Sequence, residues 1–263
     1  MPNTYSKKVR RPYVHMSSFN LNQFHLRNPW IVVWWSFSFP GAGHMMLCKY
    51  FTGSMLMLWE FVVNAQSNIN LAIMLSMTGQ FEKAKSVLEP RWFFLYMGVY
   101  LFTAWDSYRL SIDLNKLYLV ADREDASILP ASISTLESNY LDVRKPWTGV
   151  IWSCITPGLG QLYFNRLPSG FYLLICFIVS IYESHVGNAL LATMTGHFDY
   201  ARSVLNPEWL LFLPSIYGIA SYDAFVLIKE LNKLFKIEQS RFLSDHYQSP
   251  KFKMPKVNVD REM

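Results

Sequence analysis

The chain has 263 residues, of which 51% are hydrophobic and 16% aromatic, and it carries a formal net charge of +5. Only 16% of the residues are charged, against about 25% in a typical soluble domain. This composition argues against an ordinary soluble domain and favours a protein embedded in a lipid bilayer. The three cysteines show no Cys-x-x-Cys spacing, which predicts small buried side chains rather than a disulfide framework.

One short motif, Pro-Gly-x-Gly, occurs at 40–43 and again at 157–160. The two copies are 117 positions apart, and this offset holds without a gap from Arg27 and Arg144 onward, with about a third of the paired positions identical. Self-similarity at a fixed offset is the signature of an internal repeat. The sequence therefore predicts a basic N-terminal tail (1–28), a first membrane repeat (29–117), a polar linker (118–145), a second membrane repeat (146–234) and a basic C-terminal tail (235–263).

The N-terminal tail contains five Lys or Arg residues and no acidic residue. The C-terminal tail is also basic and shows no periodicity, which predicts disorder. Both tails are expected to lie on the cytoplasmic side of the membrane, where positive charge attracts anionic lipid.

The first hydrophobic segment of each repeat is interrupted by the Pro-Gly-x-Gly motif. Proline removes a backbone donor, and glycine adopts backbone angles that other residues avoid. The eleven residues before the break would rise only about 16 Å as a helix, about half the hydrocarbon core. The sequence therefore predicts a broken or re-entrant helix that ends at a basic residue, Lys49 or Arg166.

Two further hydrophobic segments follow in each repeat. The second (53–77 and 170–194) starts apolar, becomes polar and is predicted as one longer helix. The third (91–112 and 208–229) is predicted to span the membrane, and it runs into an identical Leu-Asn-Lys-Leu in both copies. Between them, apolar residues at helical spacing predict a short amphipathic helix on the membrane surface or on neighbouring helices. The predicted fold is an all-α integral membrane protein of two homologous tandem repeats.

Two topologies remain open. If three segments of each repeat cross the bilayer, the halves are inverted relative to each other, as in inverted-repeat transporters. If the broken segment enters and leaves on one side, each half crosses twice and both face the same way. With the N-terminus inside, six crossings place 17 Lys and Arg residues inside and 7 outside, whereas four crossings place 20 inside and 4 outside. The positive-inside rule thus favours four crossings of the cell membrane, with both termini cytoplasmic.

The third segment carries Asp106 in the first repeat and Asp223 in the second, and an ionisable group in or near a membrane helix is costly. Three interpretations are open: a solvated carboxylate at a helix end, a structural clasp, and proton or cation handling. In the clasp, each Asp accepts hydrogen bonds from the backbone N–H groups of the break or pairs with the nearby basic residue. The clasp comprises Asp106, Asp223, Gly41, Gly43, Gly158, Gly160, Lys49 and Arg166.

Other chemistry has weak support in the sequence. Glu60 and Glu183 would suit a water-filled path, but they do not align between the repeats, so internal pairing or emergence into the headgroups is favoured. The six histidines lack metal-ligand spacing, and the glycine motif lacks the Lys of a phosphate loop. We therefore predict no catalytic set, no metal, no cofactor and no nucleic-acid partner.

The run Pro-Gly-Leu-Gly-Gln-Leu-Tyr-Phe-Asn-Arg at 157–166, with Gly170 opening the next helix and Asp223 in a later one, resembles the TM2-type membrane domain. In that family a Gly-x-x-Gly-x-x-x-Phe-Tyr-x-Gly-Arg stretch joins two helices, and an Asp lies in the second. The first copy lacks the Tyr and Arg and keeps a basic residue, Lys49. The resemblance covers 30–60 with 100–108 and 147–177 with 217–225. It implies a small bacterial integral membrane protein, with no enzymatic activity or substrate attached.

Two functions follow from these observations. The preferred one is a non-enzymatic membrane scaffold or assembly factor, with the bilayer and an unidentified membrane protein as partners. The alternative is a small transporter or channel built on the internal duplication.

Overall fold

The structure is a computed structural model that describes residue 12 and residues 14–124 and 126–249. We call 14–124 the first half and 126–249 the second half. The chain is mostly helical. The elements of the first half are β1 (Val14–Met16), β2 (Leu21–Gln23), α1 (Pro29–Ser38), α2 (Ala42–Met46), α3 (Tyr50–Ser67), α4 (Ile69–Met77), α5 (Phe81–Val87) and α6 (Pro90–Arg123).

The second half has the same order of elements, each starting 117 residues later until the last helix, which is divided. Its elements are β3 (Ala131–Ile133), β4 (Ser138–Tyr140), α7 (Pro146–Ile155), α8 (Leu159–Tyr163), α9 (Leu167–Ser184), α10 (Val186–Met194), α11 (Phe198–Val204), α12 (Pro207–Leu210) and α13 (Phe212–Tyr247). In each half the helix before the break packs on the long helix, α1 on α6 and α7 on α13.

The break at Pro-Gly-x-Gly is present in both halves. Proline at 40 cannot continue α1, and Gly41 has φ +94°, while Gly158 has φ +102°. A Cβ at Gly41 would overlap the carbonyl oxygen of Gly53, and one at Gly158 would overlap that of Gly170. Gly41 and Gly158 are therefore required for two reasons. Each has a positive φ, and each lies where the chain folds back directly onto the start of the next helix.

The second hydrophobic segment is not one helix, as the sequence predicted, but two in each half. Asn68 separates α3 from α4 with φ +55°, and His185 separates α9 from α10 with φ +57°. Both residue types are among those that tolerate the left-handed region. The break coincides with the polar stretch of the segment, where backbone groups find partners outside the helix: Ser67 O accepts from Glu89 N, and Ser184 O accepts from Asn206 N.

Two antiparallel hairpins correct the prediction of an all-α fold. They pair Val14 with Gln23 and, 117 residues later, Ala131 with Tyr140. Both lie in segments predicted as a polar tail and a polar linker, so the equivalence of the halves extends upstream of Arg27. The C-terminal prediction also changes, because α13 makes residues 235–247 helical. The remainder of both basic tails, 1–11 and 250–263, lies outside the described residues.

Both hairpins lie at the same end of the molecule. One apolar cluster contains Met16 of the first hairpin, Leu141 beside the second, and Leu231 of α13. The side-chain amide of Asn139 also donates to the carbonyl oxygen of Ser17 at 3.1 Å. The two halves therefore place equivalent elements beside one another at this end.

A second apolar cluster joins the halves further along the helices. It combines Phe39 and Phe61 of the first half with Leu173, Phe212 and Ile216 of the second. Phe61 and Phe212 are close, with ring centroids 4.6 Å apart. Two of the apolar clusters therefore contain residues of both halves.

Two helical stretches are long and apolar enough to cross a membrane. They are Leu167–Ser184, with a mean hydropathy of 1.5, and Pro207–Tyr247, with a most apolar 18-residue window of 1.6. Both lie in the second half. In the first half, α3 and α6 are interrupted by Asn, Glu, Gly and many Trp or Tyr residues, which lower the mean hydropathy of helices of similar length.

Candidate functional site

Asp106 and Asp223, which are 117 positions apart, are each bonded to a side chain of the short helix that follows the break. His44 Nε2 in α2 lies 3.1 Å from Asp106 Oδ2 in α6. Gln161 Nε2 in α8 lies 3.4 Å from Asp223 Oδ2 in α13. His44 and Gln161 are 117 positions apart and so occupy the same place in their halves. The aspartate therefore ties the short helix to the long one in both halves.

Small residues let the broken segment fold back closely. A Cβ at Gly43 would overlap Ser36 Oγ of α1, and one at Gly160 would overlap Ser153 Oγ of α7. The glycines of the predicted clasp therefore act by close packing. Every hydrogen bond that the structure gives the two aspartate carboxylates comes from a side chain, which corrects the expectation that backbone N–H groups of the break would bind them.

The identical Leu-Asn-Lys-Leu segments have a structural explanation. Asn115 Oδ1 accepts from the backbone N–H of Arg27 at 3.0 Å, and its amide donates to the carbonyl oxygen of Arg27 at 2.8 Å. Asn232 makes the same pair of bonds to the backbone of Arg144, at 2.9 and 2.8 Å. Each Asn thus holds the segment that precedes the broken helix against the long helix of the same half.

Arg166 lies at the centre of the interface between the halves with only 1% of its surface exposed. Its Nη1 is 3.3 Å from Asp223 Oδ2, which joins two residues of the predicted clasp. Its Nε donates to the hydroxyl of Tyr50 in the first half at 2.6 Å, and its Nη2 donates to Met45 O at 3.4 Å and to Cys48 Sγ at 3.3 Å. We call these five residues the Arg166 cluster.

The Arg166 cluster continues into the first hairpin. The hydroxyl of Tyr50 donates onward to Asn22 Oδ1 at 2.8 Å, and the guanidinium of Arg166 lies 5.1 Å from the centre of the Tyr50 ring. A guanidinium presents its N–H donors in a fixed planar geometry. When several of these donors are used, their hydrogen bonds therefore fix the positions of the groups that accept them. The charge of Arg166 is compensated by Asp223 within its own half, while its remaining donors hold the first half in place.

The first half does not repeat this arrangement. Lys49, at the position of Arg166, is exposed and does not pair with Asp106 as the sequence predicted. Asp106 instead pairs with His44 and with Arg109, whose Nη2 lies 2.6 Å from Asp106 Oδ1. A Lys ammonium is a strongly hydrated point charge and gains less from a planar, multiply bonded site than Arg does. The two equivalent aspartates therefore have different partners, an exposed Arg109 for Asp106 and a buried Arg166 for Asp223.

A second buried polar group lies where α3, α4, α6 and α12 meet. Glu60, only 3% exposed, accepts from Asn64 at 2.8 Å and from the Tyr96 hydroxyl at 3.2 Å. Glu208 of the second half, 6% exposed, accepts from the backbone N–H of Leu71 at 2.7 Å. Sequence comparison of the halves missed this group because the residues do not align. Glu183, the other acid of the polar stretch, is only partly buried and does not join it.

Among the residues that the structure describes, no group of three or more His, Cys, Asp or Glu side chains is arranged to hold a metal ion. No protein-family model matches this chain, and neither a curated protein nor a solved structure shows significant similarity to it.

Proposed function

We propose that this chain is a non-enzymatic, multi-pass membrane protein, built from two homologous repeats of the TM2 type, that acts as a scaffold or assembly factor. Its role would be to hold a rigid folded surface at one face of the membrane for a protein partner. The proposal rests on helix lengths, on the relative orientation of the halves, and above all on the way the halves are joined.

Helix lengths support two crossings in each half. At 1.5 Å per residue, the 18 residues of α3 and of α9 extend about 27 Å, close to the thickness of a hydrocarbon core. The 34 residues of α6 and the 36 of α13 extend about 50 Å and so reach beyond it. The ten residues of α1 and of α7 cover only about 15 Å, which suits a re-entrant segment.

The position of the hairpins favours four crossings over six. An inverted arrangement would place the two hairpins on opposite faces of the membrane. Instead, the first hairpin bonds to the start of α9, since Leu167 N donates to Phe19 O, and to the second hairpin through Asn139. Equivalent elements packed at one end suit halves of the same orientation, with both tails on the cytoplasmic side.

The single observation that carries the scaffold proposal is the Arg166 cluster. A buried cation bonded to both halves resists their separation, because withdrawing a charge from its partners costs several kcal/mol, roughly 3–5 when one partner of a buried pair is lost. A transporter that alternates access must rearrange its halves around such an interface. The bonds of Arg166 to Tyr50, Met45 and Asp223 favour a protein with one stable arrangement.

The second hairpin offers the surface for a partner. Met16 in the first hairpin is 7% exposed, whereas its counterpart Ile133 is 84% exposed, and Leu136 at the tip of the second hairpin is 81% exposed. The first hairpin is covered by the second half, so the difference arises from packing rather than from residue type. Large exposed apolar side chains on a folded surface are typical of interaction sites.

Cysteine accessibility tests the proposal against the transporter. Ser67 and Ser184 are buried, and each would be replaced by Cys in a background in which Cys48, Cys154 and Cys176 are Ser. Ser86→Cys in the exposed helix α5 provides the positive control. We expect a water-soluble maleimide to label position 86 and to leave positions 67 and 184 unlabelled from either side. Labelling of positions 67 and 184 from both sides would overturn the scaffold proposal.

One observation favours the alternative, a small transporter. Glu60 Oε2 and Glu208 Oε1 are buried without a hydrogen-bond partner, so one oxygen of each carboxylate is available to a proton or cation. If the protein moves protons, Glu60→Gln would abolish a proton flux in reconstituted vesicles without unfolding the protein. If it is a scaffold, no proton flux above that of empty vesicles is expected for either form.

A further inference from the structure

The segment between β2 and α1 contains an unusual concentration of buried polar atoms without partners. Both ring nitrogens of His25, Nη2 of Arg27 and Oε1 of Gln23 have no hydrogen-bond partner. His25 and Gln23 are each only 6% exposed. About nine in ten buried polar groups in folded proteins are bonded to protein or to ordered water, so three such residues within five positions require water or a polar ligand beside them.

A cavity lies beside these atoms. Its volume is about 90 Å³, and it is bounded by the segment before α1 and by α1, α2 and α13. Its polar lining includes His25, Arg27, Asn28, Tyr222 and Glu230. By this measure a single water needs only about 10–15 Å³, so the cavity is large enough for a small tetrahedral anion.

The charges around the cavity leave a positive excess. Glu230 on the wall is paired with Lys233 at 2.8 Å, and Arg166 nearby is paired with Asp223. Arg27, which also lies near Asp223, is the third described cation around His25, so three cations face these two carboxylates. Burial lowers the pKa of His25 well below its ordinary value, and the positive charges of Arg27, Arg166 and Lys233 lower it further. Burial likewise lowers the pKa of Arg27. An anion in the cavity would relieve both effects.

The equivalent place in the second half is already satisfied. Arg144, the counterpart of Arg27, donates to Tyr163 O and lies over the rings of Tyr140 and Tyr163. The counterpart of His25 is Asp142, whose carboxylate would repel an anion. The two halves therefore differ in chemistry at this point, and only the first has both an unfilled guanidinium and an adjacent imidazole.

We propose that this cavity binds a phosphate-sized oxyanion, held by the guanidinium of Arg27 and by the imidazole of His25. A guanidinium matches the oxygens of a phosphate with parallel N–H bonds. His25 takes up a proton as the anion enters and then donates to it. The oxyanion is either free phosphate or the phosphate of a phospholipid headgroup at the hairpin end.

Titration calorimetry on the full chain in a neutral detergent, stripped of lipid, tests the site with inorganic phosphate at constant ionic strength. We expect binding by the unmodified protein and a loss of about tenfold or more in affinity for Arg27→Gln, because charged hydrogen bonds are lost. Arg144→Gln at the equivalent position is the matched control and should retain the affinity. Thermal unfolding of both variants identifies any that fail to fold, and Arg27→Lys then replaces Arg27→Gln.

Sulfate separates the role of His25 from the titration of phosphate itself, because sulfate does not titrate near neutral pH. Its affinity for the unmodified protein should rise as pH falls from 8 to 6, and this rise should be absent in His25→Gln. A sulfate affinity that is independent of pH would overturn the assignment of His25.

The source of the oxyanion is distinguished by phosphorus analysis. If the ligand is a lipid headgroup, protein exchanged from phosphatidylglycerol vesicles into detergent retains bound phospholipid, Arg27→Gln loses it, and inorganic phosphate binds only after delipidation. If the ligand is free phosphate, the unmodified protein and Arg27→Gln retain equal amounts of phospholipid, and inorganic phosphate binds to the unmodified protein without delipidation. No binding of phosphate or sulfate, together with equal lipid retention, would overturn the proposal.

Discussion

Replacing Arg166 by Gln is expected to destabilise the protein more than any other single change of a charged residue described above. The substitution removes the cation that is hydrogen-bonded to Asp223, which is 5% exposed and keeps a 3.4 Å hydrogen bond from Gln161. It also removes the donor to the Tyr50 hydroxyl. Loss of one partner of a buried ion pair costs roughly 3–5 kcal/mol, because the other charge stays buried without compensation.

This cost should appear as a lower unfolding temperature. For a chain of this size, 1 kcal/mol corresponds to roughly 2–4 °C, so the apparent Tm of Arg166→Gln should fall by about 10 °C. The assay is thermal unfolding in detergent followed by circular dichroism and by a thiol-reactive dye. Lys49→Gln is the matched control, since Lys49 has the equivalent position but is exposed, and its effect should stay within about 0.5 kcal/mol.

A double variant separates the ion pair from other contributions of Arg166. Arg166→Met with Asp223→Leu removes both charges, and replacing a whole buried pair by apolar residues is often neutral. We expect the double variant to be more stable than Arg166→Gln. The reasoning is refuted if Arg166→Gln and Lys49→Gln unfold at the same temperature, or if the double variant loses as much as the two single changes added together.

Three further predictions concern the turn at Gly41, the buried imidazole of His25 and the orientation of the halves. Gly41→Ala should lower the free energy of unfolding by at least about 1–2 kcal/mol, since φ is positive and a Cβ overlaps Gly53. Gly187→Ala, in open space, should leave that free energy unchanged or raise it by up to about 1 kcal/mol. Equal melting temperatures of the two variants would contradict this prediction. Without phosphate or sulfate, stability should fall below about pH 6.5 by up to roughly 1.4 kcal/mol per pH unit. Stability falls in this direction because the pKa of His25 is depressed in the folded state, so the unfolded chain binds the proton first as pH falls. His25→Gln should flatten the dependence of stability on pH. An unchanged slope in this variant would exclude His25 as the source. Cysteines at Phe19 and Leu136, equivalent exposed positions of the two hairpins, should be labelled from the same side of the membrane, and labelling from opposite sides would favour six crossings.

The break and its glycines were predictable because backbone chemistry is local. Pro40 directly followed by Gly41 disfavours continuation of a helix, and an offset of 117 residues identified the matching turn. The pairing of Arg166 with Asp223 was among the alternatives for a related reason. Two opposite charges in an apolar sequence have few other partners, so proximity in the fold is favoured.

The bond between His44 and Asp106 was not predictable by the same reasoning, whereas Arg109 is a sequence neighbour of Asp106. His44 and Gln161 are different residue types, so comparison of the halves did not single them out. In the structure, His44 presents a ring nitrogen and Gln161 an amide nitrogen to the aspartate of the same half. Lys49 was chosen because it aligns with Arg166, yet charge alone does not bury a side chain. Whether a cation enters an interface depends on the donors and acceptors around it, which only the fold brings together.

The hairpins escaped prediction because each strand is only three residues long. Such a strand carries too few residues for an alternating pattern to be recognised. The position of Glu208 escaped for a different reason. Its partners, Asn70 and Leu71, lie in the other half of the chain, and contacts between sequence-distant segments leave no local signal.

The way the first hairpin is covered has a consequence for biosynthesis. Gln23 donates to the carbonyl oxygen of Glu230, and the carbonyl oxygen of Phe19 accepts from Leu167. Domains generally fold as they leave the ribosome, earliest segments first, yet this early segment acquires the last part of its cover only when the final helix has been translated. A nascent chain stopped before Glu230 would expose Met16 and Leu21 to cellular proteases, so completion of the final helix becomes the step that protects the amino-terminal end.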